Sequence, residues 1–130
     1  RWYNDSIASS PSRTIAGLNS FDQKVILIAG GKDKGIPYDS LGPVVNDHVK
    51  LLILCGATAG VIRQAVTQAA NYDGLEIREV GDYHEAVALA DSRAREGDVV
   101  ILSPASTSFD RFPNFMERGR VFKEIVNALP

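Results

Sequence analysis

A run of small hydroxyl residues follows the last strongly apolar segment of the chain. Residues 98–102, Asp-Val-Val-Ile-Leu, are typical of a buried strand, and Ser103, Ser106, Thr107 and Ser108 come directly after them. In an open α/β sheet, ligands bind outside the carboxyl ends of the strands. We therefore expect these hydroxyls and the neighbouring backbone N–H groups to lie where a substrate could contact them.

A second candidate is the loop at residues 30–35, Gly-Gly-Lys-Asp-Lys-Gly, which follows the apolar run 24–29. Glycines allow a ligand to approach the backbone closely, and lysines supply cationic groups. The loop matches neither the Walker A pattern nor the dinucleotide-binding fingerprint. From the residues alone, a ligand site and a solvated turn with exposed lysines explain it about equally well.

The third candidate lies near the start, at residues 4–9, Asn-Asp-Ser-Ile-Ala-Ser. Asp5 and Ser9 are its polar groups with possible functions. A structural alternative is a strand that leads into a capped helix, because Ser9 or Ser10 could be the N-cap and Pro11 suits the first helical position.

The composition describes an ordinary globular domain. The chain has 130 residues, 45% of them hydrophobic and 23% charged, and a formal net charge of −2, which favours neither nucleic acid nor a membrane as partner. The single cysteine, Cys55, excludes an internal disulfide, and neither a membrane-spanning apolar run nor a signal peptide is present. We expect a cytoplasmic monomer. Because the chain opens on Arg1-Trp2-Tyr3, we expect a domain cut from a longer enzyme.

Apolar runs alternate with amphipathic segments along the whole chain. We expect strands at 2–3, 24–29, 50–55, 75–80 and 99–102, and helices from Pro11, at 41–49, from Ala57 or Thr58, from Asp82 to Gly97, and at 114–129. Such alternation predicts βαβ units. The expected fold class is α/β, a three-layer Rossmann-like sandwich with a mostly parallel sheet.

Two of these helices have a predicted buried stripe. The third helix is expected to bury Val61, Ile62, Ala65, Val66, Ala69 and Ala70, and the last helix Phe115, Phe122, Ile125, Val126 and Leu129. The segment Arg118-Gly119-Arg120 of the last helix is predicted to be a solvated face or a domain contact.

Three stretches in order resemble the C-terminal domain of the Mur ligases. They are Asn-Asp-Ser-x-Ala-Ser at 4–9, Gly-Gly-x-x-Lys at 30–34, and Ser-Pro-Ala…Ser-x-Asp-x-Phe…Phe…Arg-Gly at 103–119. The resemblance is closest to members that add D-glutamate. Members that add L-alanine or a diamino acid typically carry Tyr-x-His after the opening strand, and this chain has Asn4-Asp5-Ser6 there. The Asp-Asn-Pro-Arg motif for meso-diaminopimelate is also absent.

The resemblance implies a role for several residues. Ser9, Lys34, Ser108, Phe109 and Phe115 would bind D-glutamate, with Phe109 acting through its backbone N–H. Asp5 would lie near ATP, and no catalytic residue or metal ligand is expected in this chain alone. Ile7 stands where many relatives carry lysine. From the residues alone, Phe115 is instead a core residue of the last helix.

The resemblance also implies an activity. Residues 1–130 would form the amino-acid-binding domain of an ATP-dependent ligase that adds D-glutamate to UDP-N-acetylmuramoyl-L-alanine in peptidoglycan synthesis. The UDP-binding domain and the central ATPase domain, which would make most of the contacts with ATP and Mg²⁺, are expected to be absent from this chain, so the chain alone should be inactive. Two alternatives remain open: another Mur or folylpolyglutamate-type ligase domain, and a non-catalytic Rossmann-like module that binds a small anion.

Overall fold

Strands and helices alternate along the chain in the computed structural model, which describes residues 1–108 and 112–130. The strands are β1 (Trp2–Asn4), β2 (Val25–Ala29), β3 (Val49–Leu54), β4 (Glu76–Glu79) and β5 (Val100–Leu102). The helices are α1 (Pro11–Asn19), α2 (Leu41–His48), α3 (Ala59–Thr67), α4 (Tyr83–Arg93) and α5 (Phe115–Asn127).

The five strands form one parallel sheet in the order β1-β5-β2-β3-β4. Strand β2 is central, and every residue of its Val-Ile-Leu-Ile-Ala run is buried, because helices cover both faces of the sheet. The order also places β1, β5 and β2 side by side. The loops that follow these three strands, which contain the candidate site residues, therefore lie next to one another.

Helices pack on both faces of the sheet. Leu27 and Leu52 point to the side covered by α1, α2 and α3, where Leu18, Val45 and Ile62 complete one core. Ile26 and Ile53 point to the other side, where Val87 of α4 and Phe122 of α5 complete the second core. The predicted three-layer α/β sandwich is therefore confirmed.

The helix boundaries and stripes correct part of the sequence prediction. Helix α3 ends at Thr67, so Ala69 and Ala70 lie beyond it, and Val61 is 39% exposed because Ile62 and Val66 form the face that meets the sheet. Helix α4 ends at Arg93 rather than just before Gly97. Ala94 is extended there, and Asp98 closes a turn by accepting a hydrogen bond from the Arg95 N–H at 2.8 Å.

The start of α5 also departs from the prediction. Asn114 caps this helix by accepting from the Glu117 N–H at 2.8 Å, and Phe122 is buried as expected, with Ile125, Val126 and Leu129 packed half-buried against the same core. The prediction that Phe115 is a core residue is wrong, because its side chain is 38% exposed. The first turn of α5 packs against the loop after β1, where the Ser6 hydroxyl donates to the Phe115 carbonyl, and not against the sheet.

Candidate functional site

Three loops meet at the carboxyl edge of the sheet, and backbone hydrogen bonds join them. The Ala105 N–H donates to the Ala8 carbonyl at 2.9 Å, which links the loops after β5 and β1. The Gly30 N–H donates to the Pro104 carbonyl and the Lys32 N–H to the Thr107 carbonyl, both at 2.9 Å, which links the loops after β2 and β5. The segments that carry Ser9, Lys34 and Ser108 are therefore neighbours.

The two glycines at the start of the loop after β2 make this close packing possible. A Cβ atom on Gly31 would lie 2.4 Å from the Thr107 carbonyl oxygen, and one on Gly30, whose φ is 111°, would lie 2.0 Å from the Cys55 carbonyl oxygen. Both distances are far below van der Waals contact. The two glycines therefore allow neighbouring backbone segments to pack closely. This packing explains why glycine stands at both positions, and no ligand is needed to explain it.

A chain of buried hydroxyls braces the same region. Ser106 Oγ lies 2.8 Å from Tyr38 Oη and 2.9 Å from Thr58 Oγ1, and the Gly31 N–H donates to Thr58 Oγ1 at 2.9 Å. These bonds satisfy polar groups that would be costly to bury alone. Ser106, which the sequence placed among the candidate ligand-binding hydroxyls, is therefore engaged inside the protein.

Asp5 is half-buried just beyond the end of β1. Its Oδ2 accepts from Ser103 Oγ at 2.8 Å, and its N–H donates to the Leu102 carbonyl at 2.7 Å. Its carboxylate also lies close to α1, because a Cβ atom on Gly17 would be 2.9 Å from Oδ2. The carboxylate is thus held in a fixed orientation, and its contact with ATP stays a prediction.

Ser9 is half-buried and lies one residue before the N-cap of α1. The N-cap is Ser10, but no side chain caps the helix, so capping does not explain the hydroxyl of Ser9 or Ser10. The Ser9 hydroxyl instead accepts a long hydrogen bond, 3.4 Å, from Nη2 of Arg118. Pro11 occupies the first helical position, as predicted.

Lys34 and Ser108 lie on adjacent loops in different environments. Lys34 is exposed, in a turn where the Gly35 N–H donates to Asp33 Oδ1 at 2.8 Å. Ser108 is 3% exposed, and its carbonyl accepts from the Phe112 N–H at 2.8 Å. Phe109, the fourth predicted D-glutamate contact, lies outside the described residues.

Phe115 lines a groove beside the three loops. The groove has a volume of about 770 Å³ and runs between β1 and α5, with Trp2, Ile7 and Met116 among its walls. Ser9, Lys34 and Ser108 are not among its described lining residues. The structure thus joins the loops of those three residues directly, and connects Phe115 to them through Ser6.

Arg118, like Phe115, is a residue whose environment the sequence predicted wrongly. It was expected on a solvated face or in a domain contact, but it is 1% exposed within this chain, and its guanidinium donates to the Ser106 carbonyl and the Ser6 carbonyl, both at 2.7 Å. The sequence contains one indication of this burial, the glycine at position 119. A Cβ atom on Gly119 would lie 3.1 Å from Ser6 Cβ, so a glycine inside the helix marks close packing. Arg120, by contrast, is exposed and paired with Glu117 and Glu124.

Hydroxyls, backbone N–H groups and a lysine are groups that bind carboxylates. The exposed Lys34 ammonium and the half-buried Ser9 hydroxyl are such groups. The Ser106 hydroxyl and the N–H groups of Gly30 and Lys32 are already bonded within the protein. Across residues 1–108 and 112–130, no group of three or more His, Cys, Asp and Glu side chains is placed to hold a metal ion. In the same residues, no helix is both long enough and apolar enough to cross a membrane.

Known proteins match this chain over nearly its whole length. It is 57% identical to the UDP-N-acetylmuramoylalanine–D-glutamate ligase of Acetivibrio thermocellus, 56% identical to that of Ruminiclostridium cellulolyticum, and 53% identical to that of Clostridium botulinum strain Okra. Each alignment covers 99% of this chain. The chain spans only 28–29% of the length of these relatives.

A solved structure shares the fold. The structure of a UDP-N-acetylmuramoyl-L-alanyl-D-glutamate–2,6-diaminopimelate ligase matches 93% of this chain and 28% of that chain, with a TM-score of 0.55 and 16% identity. Residues 1–106 match the family described as Mur ligase, glutamate ligase domain. Since that match covers most of the 130 residues, the predicted resemblance is confirmed, and the chain belongs to the Mur ligase family through its glutamate ligase domain.

Proposed function

We propose that this chain is the C-terminal, amino-acid-binding domain of an ATP-dependent ligase that adds D-glutamate to UDP-N-acetylmuramoyl-L-alanine. Relatives named as D-glutamate ligases align with 99% of the chain at 53–57% identity, which supports the reaction. The observation that carries the role of this domain is the hydrogen-bonded junction of the three loops. It brings together segments with Ser9, Lys34 and Ser108.

The proposed substrate contacts are those that the resemblance to D-glutamate ligases implies, and the chemistry of each group suits its proposed role. The Lys34 ammonium neutralises the side-chain carboxylate of D-glutamate, and the Ser9 and Ser108 hydroxyls donate hydrogen bonds to carboxylate oxygens. Phe109 offers its backbone N–H, and Phe115 packs against the aliphatic part of the substrate. These contacts hold the amine of D-glutamate in one orientation toward its acceptor.

The reaction that we propose needs positioning more than a protein nucleophile. The carboxylate of UDP-N-acetylmuramoyl-L-alanine is activated by phosphoryl transfer from ATP, the D-glutamate amine attacks the activated carbonyl carbon, and phosphate leaves. Fixing two reactants in a productive geometry can itself supply much of the acceleration. In this proposal ATP and Mg²⁺ are bound mainly by the remainder of the protein, and Asp5 faces the nucleotide when this domain closes over it.

The two other interpretations are less well supported. A different Mur or folylpolyglutamate-type ligase would have to share 53–57% identity with D-glutamate ligases while using another amino acid. A non-catalytic anion-binding module would have to keep the same loops without the reaction. We further propose that the complete protein is a cytoplasmic monomer that acts in peptidoglycan synthesis, and thereby in cell wall formation, cell shape and cell division.

A panel of amino acids tests the proposed reaction. The complete protein that carries this chain is supplied with ATP, Mg²⁺ and UDP-N-acetylmuramoyl-L-alanine, and phosphate release is measured with D-glutamate, L-glutamate, D-aspartate or meso-diaminopimelate. We expect D-glutamate to give the highest kcat/KM. A higher kcat/KM with meso-diaminopimelate or L-glutamate would contradict the assignment.

A further inference from the structure

A fully buried arginine lies between the loops of the candidate site. The Arg118 side chain is 1% exposed and extends from α5 toward the loops after β1 and β5. Burying a guanidinium is costly unless its N–H groups are hydrogen-bonded. Here short hydrogen bonds to two carbonyl groups offset this cost. Because each bond joins α5 to a loop, the bonds fix the position of the Arg118 side chain and the positions of the two loops relative to it.

Two short hydrogen bonds from Arg118 join two different loops. Nη1 donates to the Ser106 carbonyl at 2.7 Å, in the loop after β5, and Nη2 donates to the Ser6 carbonyl at 2.7 Å, in the loop after β1. A guanidinium presents these donors in a rigid planar fork, whereas a lysine ammonium is a single point with rotating donors. Lysine could retain the charge at this position but could not hold both carbonyls in the same geometry.

The same guanidinium reaches a proposed substrate contact. Its Nη2 donates to Ser9 Oγ at 3.4 Å, so the Ser9 hydroxyl acts as acceptor toward Arg118. A hydroxyl that accepts a bond in this way keeps its own hydrogen for donation. This hydrogen bond therefore leaves the hydrogen of the half-buried Ser9 hydroxyl available for an anionic group.

A relay through Ser6 extends the effect to the first turn of α5. Arg118 Nε donates to Ser6 Oγ at 3.1 Å, and Ser6 Oγ donates to the Phe115 carbonyl at 2.6 Å. The fit leaves no spare room, because a Cβ atom on Gly119 would lie 3.1 Å from Ser6 Cβ. The place of Phe115 therefore depends on Ser6, and that of Ser6 on Arg118.

From these contacts we propose that Arg118 is the positioning residue of the amino-acid site. It sets Ser9 and Phe115 in place relative to the loop that carries Ser108, and so fixes the orientation in which D-glutamate is bound. This inference rests on the proposed function, since it takes D-glutamate as the ligand of that site. Arg118 acts through these residues and does not itself contact the substrate.

The test compares two arginines of one helix in the complete protein. Arg118→Lys keeps the charge but not the fork, and Arg120→Lys is the matched control, because Arg120 is exposed and paired with Glu117 and Glu124. For Arg118→Lys we expect the KM for D-glutamate to rise about tenfold or more, while the KM values for ATP and UDP-N-acetylmuramoyl-L-alanine change less than about twofold. Arg120→Lys should leave all three KM values unchanged.

Ser6→Ala is the second variant, in case Arg118→Lys does not fold. It removes the hydroxyl between Arg118 and the Phe115 carbonyl, and we expect the KM for D-glutamate to rise about three- to tenfold with an unaltered KM for ATP. A wild-type KM for D-glutamate in the folded variants, an equal rise in all three KM values, or failure of both variants to fold would overturn the positioning role. A wild-type protein without D-glutamate-dependent phosphate release would overturn the proposed function itself, and this inference with it.

Discussion

Ser108 and Ser106 lie two residues apart on one loop, and we propose a substrate-binding role for Ser108 and a structural role for Ser106. Ser106 Oγ is bonded to Tyr38 and Thr58 inside the protein, whereas Ser108 is proposed to donate to the D-glutamate carboxylate. We expect Ser108→Ala to weaken D-glutamate binding by about 1–2 kcal/mol with little change in melting temperature. Ser106→Ala should instead lower the melting temperature with a smaller effect on D-glutamate kinetics. A stability loss without a kinetic one in Ser108→Ala would make Ser108 a loop brace.

Lys34 and Lys32 offer a second matched pair on the loop after β2. Both are exposed, but only Lys34 stands at the position proposed to neutralise the D-glutamate side chain. A charge-assisted hydrogen bond is worth roughly 1.5–3 kcal/mol, so Lys34→Ala should raise the KM for D-glutamate by about 10- to 150-fold. Initial-rate kinetics should show no such rise for Lys32→Ala or in the KM for ATP. Equal kinetics in the two variants would leave Lys34 a solvated loop residue.

For single residues, the sequence predicted which loops carry polar groups better than it predicted the burial of individual side chains. The glycines, hydroxyls and lysines at strand ends were expected at one edge of the sheet, and their loops do lie together there, because the strands are parallel and adjacent. Arg118 could not be placed, since its burial depends on carbonyls supplied by Ser6 and Ser106, distant along the chain. Phe115 was misplaced because helical spacing does not reveal that the first turn of α5 packs on a loop.

Two helical glycines show how elements meet. A Cβ atom on Gly42 of α2 would lie 2.2 Å from the Ala65 carbonyl oxygen of α3, whereas a Cβ atom on Gly60 would meet nothing within 4 Å beyond its chain neighbours and its own helix backbone. We expect Gly60→Ala to stabilise the fold by about 0.5–1 kcal/mol, as alanine favours a helix. Gly42→Ala should destabilise it by about 1–3 kcal/mol, because α2 and α3 must separate. Chemical denaturation measures both, and equal effects would contradict this packing.

The edge strand β4 has an acid-sensitive link to α4. Both guanidinium nitrogens Nη1 and Nη2 of Arg93 donate to Glu76 at 2.7 Å, and Nε of Arg78 donates to it at 3.0 Å. These bonds, mainly those from Arg93, hold the pKa of Glu76 at about 2, below its ordinary 4.5. A lowered carboxyl pKa adds stability that is fully present above 4.5 and is lost as the pH falls toward 2. The contribution is small, because the pair is partly exposed and solvent screens it.

We therefore expect the difference in melting temperature between the wild-type chain and Glu76→Gln to shrink as the pH falls from neutral toward 2. Glu79→Gln is the comparison variant, because Glu79 lies on the same strand as Glu76 and forms an exposed pair with Arg63. A difference that stays constant across this pH range would show that the Arg93 pair does not contribute to stability.

Element type followed from the sequence more reliably than element length. The continuous apolar runs of β2 and β3 predicted central parallel strands, because burial on both faces removes alternation. Asp82 marked the start of α4 through its bond to the Glu85 N–H. The ends of α3 and α4 were predicted too far along, since alanines continue the helical pattern where the chain already turns.

For the molecule as a whole, we propose that this domain binds D-glutamate and that the rest of the protein makes most of the contacts with ATP and Mg²⁺. The chain spans 28–29% of the length of its relatives, and its three converging loops offer carboxylate-binding groups. The isolated 130-residue chain should therefore release no phosphate with ATP and D-glutamate. If the domain has this role, substitutions in these loops should raise the KM for D-glutamate and leave the KM for ATP unchanged.

The most direct measurement is the D-glutamate dependence of phosphate release by the complete protein in which Ser9, Lys34 and Ser108 are all changed to alanine. Because the three residues lie on loops bonded to one another, we expect the KM for D-glutamate to rise more than about hundredfold, with the KM values for ATP and UDP-N-acetylmuramoyl-L-alanine within about twofold of wild type. A wild-type KM for D-glutamate in this triple variant would contradict the account, because D-glutamate would then bind elsewhere.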